Sequence, residues 1–252
     1  MTIVVIGGTG LIGSKVVQNL TEHGHAVVAA APSTGVNAVT GEGLNQALRG
    51  ASVVVDVSNS PSFEDQAAMD FFRLSTTNLL GAEAAAGVDH HVALSVVGTD
   101  KLADHSGYFR AKLTQEELIA SGPIPFTIVR ATQFYEFLRA IADTATVDDT
   151  VRVPPSPIQP IAAADVAEAV AIAAVNTPVN GITEIGGPEQ FRLDEVLRTA
   201  LTARGDHRGV VTDPKATYWG VDVSAGTLVP SPGAALFDIR LADWILETAA
   251  KQ

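Results

Sequence analysis

The chain has no cysteine among its 252 residues, so disulfides and thiolate chemistry are excluded. A reducing, cytoplasmic setting is the expectation that accompanies such a chain. Basic residues are few: 16 Lys and Arg face 28 Asp and Glu, a formal net charge of −12. No basic cluster breaks that balance. A nucleic-acid partner needs a basic stripe to meet the phosphate backbone, so none is expected. No apolar run reaches the length that spans a bilayer, which argues against a membrane partner. Residues 1–20 open directly on a strand, without the charged segment and apolar run of a secretory signal. Repeats, low-complexity tracts and linkers are missing too, so nothing in the pattern divides the chain into independent domains.

What the chain does have begins at its N-terminus. Ile3, Val4, Val5 and Ile6 form an apolar, β-branched run that meets Gly7, Gly10 and Gly13 at three-residue spacing. An amphipathic helix over roughly Leu11 to His23 follows. Strand, glycine turn and helix in that order are the start of a dinucleotide-binding fold. Gly7 turns the chain tightly out of the strand. Gly10 lets backbone N–H groups approach a pyrophosphate, and Gly13 lets the helix pack closely on the sheet. Thr9, Leu11 and Ile12 complete the expected cofactor loop. The positive end of the helix dipole then faces the phosphates.

The second strand is expected over His25 to Ala31. A discriminator between NAD and NADP usually follows such a strand, as an acid for ribose hydroxyls or a basic residue for a 2′-phosphate. Neither is present, and the choice of dinucleotide stays open. Ser33 and Thr34 stand there instead, either as hydrogen-bonding partners of the ribose or as part of a plain Pro-Ser-Thr turn. Val36 to Thr40 reads as a very short strand and Gly43 to Leu48 as a short helix. Ser52 to Val57 reads as a central parallel strand interrupted by Asp56. Ser58 and Asn59 leave its carboxyl end, where open parallel sheets bind ligands. Helices are expected over Glu64 to Ala86 and Tyr108 to Ala120, with strands over His91 to Val97 and Phe126 to Arg130. Strands and helices alternate, which gives a doubly wound parallel sheet with right-handed crossovers. The neighbours His90 and His91 point to opposite sides of a strand, so no metal site is expected.

Beyond Arg130 the texture changes. Pro154, Pro155, Pro157 and Pro160 crowd one stretch. A helix over Asp165 to Val175 is expected with Asp165 as its cap. A strand over Ile182 to Ile185, a helix over Leu193 to Ala203, an irregular segment over His207 to Pro232 and a closing helix over Leu236 to Ala249 complete the chain. The expected division is a dinucleotide-binding core over 1–150, to which later segments return, and a mixed α/β substrate lobe over 151–252 that does not fold by itself.

Tyr108 and Lys112 lie four apart, on one face of their helix, so phenol and ammonium can serve one place. A nearby cation favours the phenolate and lowers the phenol's pKa, which makes it a usable acid or base. Ser95, on the preceding strand, is a hydroxyl within reach of a substrate carbonyl. The alternative for each is structural: a packed tyrosine, a solvated lysine and a strand-end serine bonded to backbone.

With those residues in view, GGTGLIG, TNLLGAEAAAGV, HVALSVVG, YFRAK and IVRATQFYEF resemble an atypical short-chain dehydrogenase/reductase of the NmrA-like kind. The resemblance covers residues 1–140, and DVAEAV at 165–170 fits its second half. It implies a Rossmann-like α/β fold, NAD or NADP as cofactor, and a small C-terminal substrate lobe. It places Gly7, Gly10 and Gly13 at the pyrophosphate, Lys112 at the nicotinamide ribose and Phe134 beside the nicotinamide. The abbreviated third strand and the missing basic residue after the second strand depart from the family pattern. The implied activity is hydride transfer between nicotinamide and an apolar cyclic carbonyl or quinone-like substrate, with an aromatic polyketide among the candidates. Tyr108 would be the acid, and Phe63, Tyr135 and Trp219 would line the substrate pocket. The family also contains dinucleotide-binding redox sensors without turnover. That is the alternative reading, beside a dinucleotide-assisted isomerase.

Overall fold

A computed structural model describes residues 1–249. These form two compact units, residues 1–130 with 166–183 and residues 131–165 with 184–249. The first break therefore falls at Arg130, earlier than the position near 150 expected from the sequence.

In the first unit, β1 (Thr2–Ile6) leads through the glycine turn into α1 (Gly13–Glu22) and then β2 (Ala26–Ala30). A short α2 (Leu44–Ala47) precedes β3 (Val53–Asp56) and the long α3 (Asp65–Ala86). Next come β4 (His90–Val96), α4 (Thr99–Leu102), α5 (Gly107–Ser121) and β5 (Phe126–Ala131). The sheet runs β5-β4-β3-β1-β2, and β1 pairs in parallel with both β2 and β3. All four residues of β3 are buried, as expected of a strand covered on both faces. Packed on this sheet are Val4, Ile6, Leu44, Leu48, Val54 and Leu79. Phe72 and Ala111 bring α3 and α5 together in a second cluster.

No strand forms at Val36 to Thr40. Asn37 closes a turn instead, its side-chain oxygen accepting the N–H groups of Val39 and Thr40. Only an isolated bridge, Asn37 to Glu42, remains of the expected pairing. The β propensity of the segment yields to asparagine turn chemistry and to Gly35, Gly41 and Gly43, all at positive φ.

The second unit holds α6 (Leu138–Thr144), β6 (Thr146–Val147), β7 (Thr150–Val153) and β8 (Pro157–Ile158). The chain then forms α7 (Ala163–Val175) and β9 (Gly181–Gly186), each divided between the units. After β9 come β10 (Phe191–Arg192), α8 (Leu193–Ala203), β11 (Gly209–Thr212), β12 (Ala235–Leu236) and α9 (Leu241–Ala249). The end of β9 pairs in parallel with β12, and β11-β7-β6 make a separate small sheet. Its core gathers Tyr135, Leu138, Val151, Ile158, Leu197 and Trp244.

Three expectations change here. The segment over His207 to Pro232 is not irregular throughout, because Gly209–Thr212 pairs with β7 as β11. Leu236 belongs to a strand, and the closing helix starts five residues later, at Leu241. Asp165 is no cap, because α7 begins at Ala163. The amide of Ala163 donates to the Glu136 carboxylate, while Asp165 accepts the amide of Ile239. Among the described residues, no helix is long and apolar enough to cross a membrane.

Candidate functional site

The glycine turn is built from close approaches. Gly7 takes φ +77°, a conformation that side chains resist. A Cβ on Gly13 would lie 2.1 Å from the Gly7 carbonyl oxygen, so helix and loop touch through bare backbone. A Cβ on Gly8 would lie 2.7 Å from the Val5 oxygen and 2.8 Å from the Ala29 Cα. Gly8, which the spacing argument passed over, therefore gives the loop its contact with β2. At Gly10 a Cβ would meet only the Gly7 oxygen, at 3.3 Å. Thr9, Gly10 and Leu11 are exposed, while Ile12 and Gly13 are buried. No side chain caps the start of α1, and its first turn carries no acid. These N–H groups and the dipole behind them fit an anionic pyrophosphate.

Ser33 and Thr34 differ. The Ser33 hydroxyl lies 3.3 Å from that of Thr9, which joins the end of β2 to the glycine turn. The Thr34 hydroxyl accepts the Ala31 amide and lies within bonding distance of the Ala29 and Ala31 carbonyls. It closes its own turn and is not directed at a ribose.

Beyond the carboxyl end of β3, Asp56 organises the loop. Its Oδ1 accepts both the amide of Ser58, at 3.0 Å, and the Ser58 hydroxyl, at 2.6 Å. Exposed Asn59 follows, and its side-chain oxygen accepts the Tyr108 hydroxyl at 3.0 Å. The Tyr108 ring packs against exposed Phe63 at 5.1 Å and buried Phe72 at 5.9 Å. Tyr108, Asn59 and Phe63 are thus brought together at the rim of this unit.

Lys112 is one turn further along α5 and buried. Its ammonium donates to the Leu94 carbonyl at 2.9 Å and to Gln115 Oε1 at 2.5 Å, and lies 4.6 Å from the centre of the Phe72 ring. The phenol and the ammonium therefore take different partners, with Phe72 against both. This changes the electrostatic expectation. Burial pushes the phenol up to about 12, where a neighbouring cation had been expected to lower it. Burial also pushes Lys112 down to about 8, against the pull of the Asp56 and Glu116 carboxylates.

Ser95 is not directed at a substrate. It is buried, and its hydroxyl donates to Glu116 Oε1 at 2.5 Å. Glu116 also receives two bonds from Arg130, Nε to Oε1 at 3.0 Å and Nη2 to Oε2 at 2.6 Å. A buried carboxylate that needs partners has claimed the hydroxyl. Deeper in the same unit, His90 meets the Thr127 hydroxyl and His91 meets the Glu83 carboxylate.

In the second unit Phe134 is half-buried and stacks on Phe137 at 5.4 Å. Tyr135 is fully buried, with its hydroxyl donating to the Ile239 carbonyl and its ring beside Trp244. Packing has drawn it into the core, so it is no pocket wall. Trp219 is partly exposed, takes φ +50° and lines a cleft of about 430 Å³ together with Arg152 and Lys215.

Comparisons with known proteins bear on the family and the fold. Residues 7–178 match the family described as NAD(P)H-binding. A (4-alkanoyl-5-oxo-2,5-dihydrofuran-3-yl)methyl phosphate reductase of Streptomyces griseus is 30% identical over 144 residues. That alignment covers 52% of this chain and 48% of the relative, so the chain spans about half the relative's length. Two of the solved structures that share the fold were obtained with a dinucleotide. One is a short-chain dehydrogenase/reductase superfamily protein from Agrobacterium tumefaciens with bound NAD, at a TM-score of 0.73 and 18% identity, covering 100% of this chain and 96% of that one. The other is the dTDP-4-dehydrorhamnose reductase of Bacillus anthracis in complex with NADP, at a TM-score of 0.67 and 13% identity, covering 96% and 92%.

Proposed function

Because this chain belongs to the NAD(P)H-binding family, we propose that it is an NAD(P)-dependent reductase of an apolar, cyclic carbonyl compound. The observation that carries the reading is the Tyr108 phenol, bonded to Asn59 at the rim beyond β3 with Lys112 one turn behind it. When bound, the reduced dinucleotide supplies the hydride. Tyr108 gives its proton to the substrate oxygen. It starts protonated at neutral pH, as a donor and not a base, and burial, which pushes it up to about 12, makes it a weaker acid than a free phenol. Asn59 Oδ1 accepts this O–H in the absence of substrate and yields its place to the substrate oxygen. Lys112 has three N–H donors. Two are taken by Leu94 and Gln115, and the third serves a hydroxyl of the nicotinamide ribose. Phe63, beside Tyr108, offers an apolar face next to the proton donor. The name of the Streptomyces griseus relative describes a ring with an oxo group, an alkanoyl chain and a phosphomethyl arm, which supports a cyclic carbonyl.

The test compares the parent with Tyr108→Phe, using NADH and NADPH against quinones and unsaturated lactones. The variant should bind the dinucleotide as the parent does and turn over at least about 100-fold more slowly. Equal turnover by both proteins would remove Tyr108 from the chemistry. Dinucleotide binding without turnover of any substrate would favour a sensor.

A further inference from the structure

We propose that Asp56 and Gln115 are positioning residues for Tyr108 and Lys112, with Gln115 the adapter that links the ammonium to the carboxylate without letting the two form a contact ion pair. The inference rests on the reading of Tyr108 and Lys112 given above.

Lys112 can only donate and an ionised Asp56 can only accept. Gln115 matches both. Its Oε1 accepts from Lys112 Nζ at 2.5 Å, and its Nε2 donates to Asp56 Oδ2 at 3.0 Å. All three side chains are buried, so each contact is made without competing water. The other oxygen of Asp56 holds Ser58, the next residue is Asn59, and Asn59 holds Tyr108. The contacts therefore close on themselves: from Asp56 through the loop to Tyr108, along one turn of α5 to Lys112, and back through Gln115. One carboxylate sets both the direction of the phenol and the place of the ammonium.

A direct Lys112–Asp56 pair would draw the ammonium toward β3 and use up the N–H meant for the ribose. With the amide interposed, the charge of Asp56 still supports the cation, and the cation stays beside the Leu94 carbonyl. The groups around Lys112 are Asp56 from β3, the Leu94 carbonyl from β4, the Phe72 ring from α3, and Gln115 and Glu116 from its own helix. Burial works against its charge and the two carboxylates sustain it, so the pH at which Lys112 discharges reports directly on this arrangement.

The experiment follows dinucleotide affinity and kcat/KM from pH 6 to 10 in the parent, Asp56→Asn, Gln115→Met, Gln115→Glu and Lys112→Met, with folding checked by circular dichroism. Asp56→Asn and Gln115→Met should move the alkaline limb down by about one pH unit, the effect of losing a nearby opposite charge or its hydrogen-bonded link. Gln115→Glu should move it up, because a carboxylate then faces the ammonium. A residue that merely filled space would give no such opposite signs. Folded variants with an unmoved limb would overturn the proposal. Failure of both Gln115 variants to fold would also overturn it, by assigning the bridge to the core. Lys112→Met separates the two levels: parental affinity and an unchanged limb in that variant would sink the site reading itself, whatever Gln115 does.

Discussion

Gly13→Ala adds one methyl group where the fold has no room for it. Its Cβ would lie 2.1 Å from the Gly7 oxygen, 2.7 Å from the Gly7 carbonyl carbon and 2.8 Å from the Gly8 Cα. An ordinary carbon–oxygen contact is about 3.3 Å, so loop and helix must part by about 1 Å. All three obstacles are backbone, and no side chain can swing aside. Overpacking of this kind costs about 1–3 kcal/mol. For a chain of this size the unfolding midpoint should fall by about 2–12 °C in calorimetry. If the same displacement is imposed on the loop that holds the pyrophosphate, dinucleotide affinity falls by about 5- to 150-fold in a fluorescence titration. Gly10→Ala is the control. Its Cβ meets a single oxygen at 3.3 Å, so the midpoint should stay within about 2 °C. Affinity should still drop, because a methyl group there stands in the way of the phosphates. A folded Gly13→Ala protein with parental affinity for NADH and NADPH would refute the assignment of this turn to the cofactor.

Arg130→Met leaves the buried Glu116 carboxylate without its two-point partner. About 3–5 kcal/mol of stability should be lost, and the double variant with Glu116→Met should recover part of it in urea denaturation; no recovery would mean that the pair is not the source. Ser95→Ala removes one bond to that carboxylate, worth about 1.5–3 kcal/mol, yet should leave kcat within about twofold of the parent, since the hydroxyl has no part in the proposed reaction; a loss of kcat without a loss of stability would restore it as a candidate for catalysis. Burial depresses the His90 imidazole from 6.5 to about 4 in the fold. The unfolded chain therefore takes up this proton first as the pH falls, and stability is lost between those two values. His90→Gln should flatten that part of the stability–pH curve, and a parental slope would show that His90 titrates alike in both states.

The glycine turn was legible because its signal is local: strand, spacing and helix fall within the first 22 residues. The four-residue separation of Tyr108 and Lys112 was legible for the same reason. What local pattern could not carry was the direction of the polar ends. Lys112 turns to Leu94 and Gln115 rather than to Tyr108, and Ser95 turns to Glu116, 21 positions away. Asp56 was visible as an acid inside an apolar strand, but its partner Gln115 lies 59 positions along the chain. The amide of Ala163 finds its acceptor in Glu136, so the start of α7 could not be read from Asp165. Gly8 was missed because its constraint comes from Ala29 on another strand. Where the sequence misled, at Val36 to Thr40, Val36, Val39 and Thr40 favour a strand, and Asn37 among them folds the segment into a turn.

The hydrogen bonds that run from Asp56 to Tyr108 and back through Gln115 have a property of any closed loop: two routes join each pair of points. Losing the Asn59–Tyr108 link leaves β3 and α5 connected through Gln115, and losing the Gln115 link leaves them connected through Asn59. The arrangement is fault-tolerant to one break and not to two. In stability, single changes on opposite arms should each cost little and together exceed their sum. A lineage can then drift at either arm while the other is intact, and the first loss fixes which residue can no longer be exchanged.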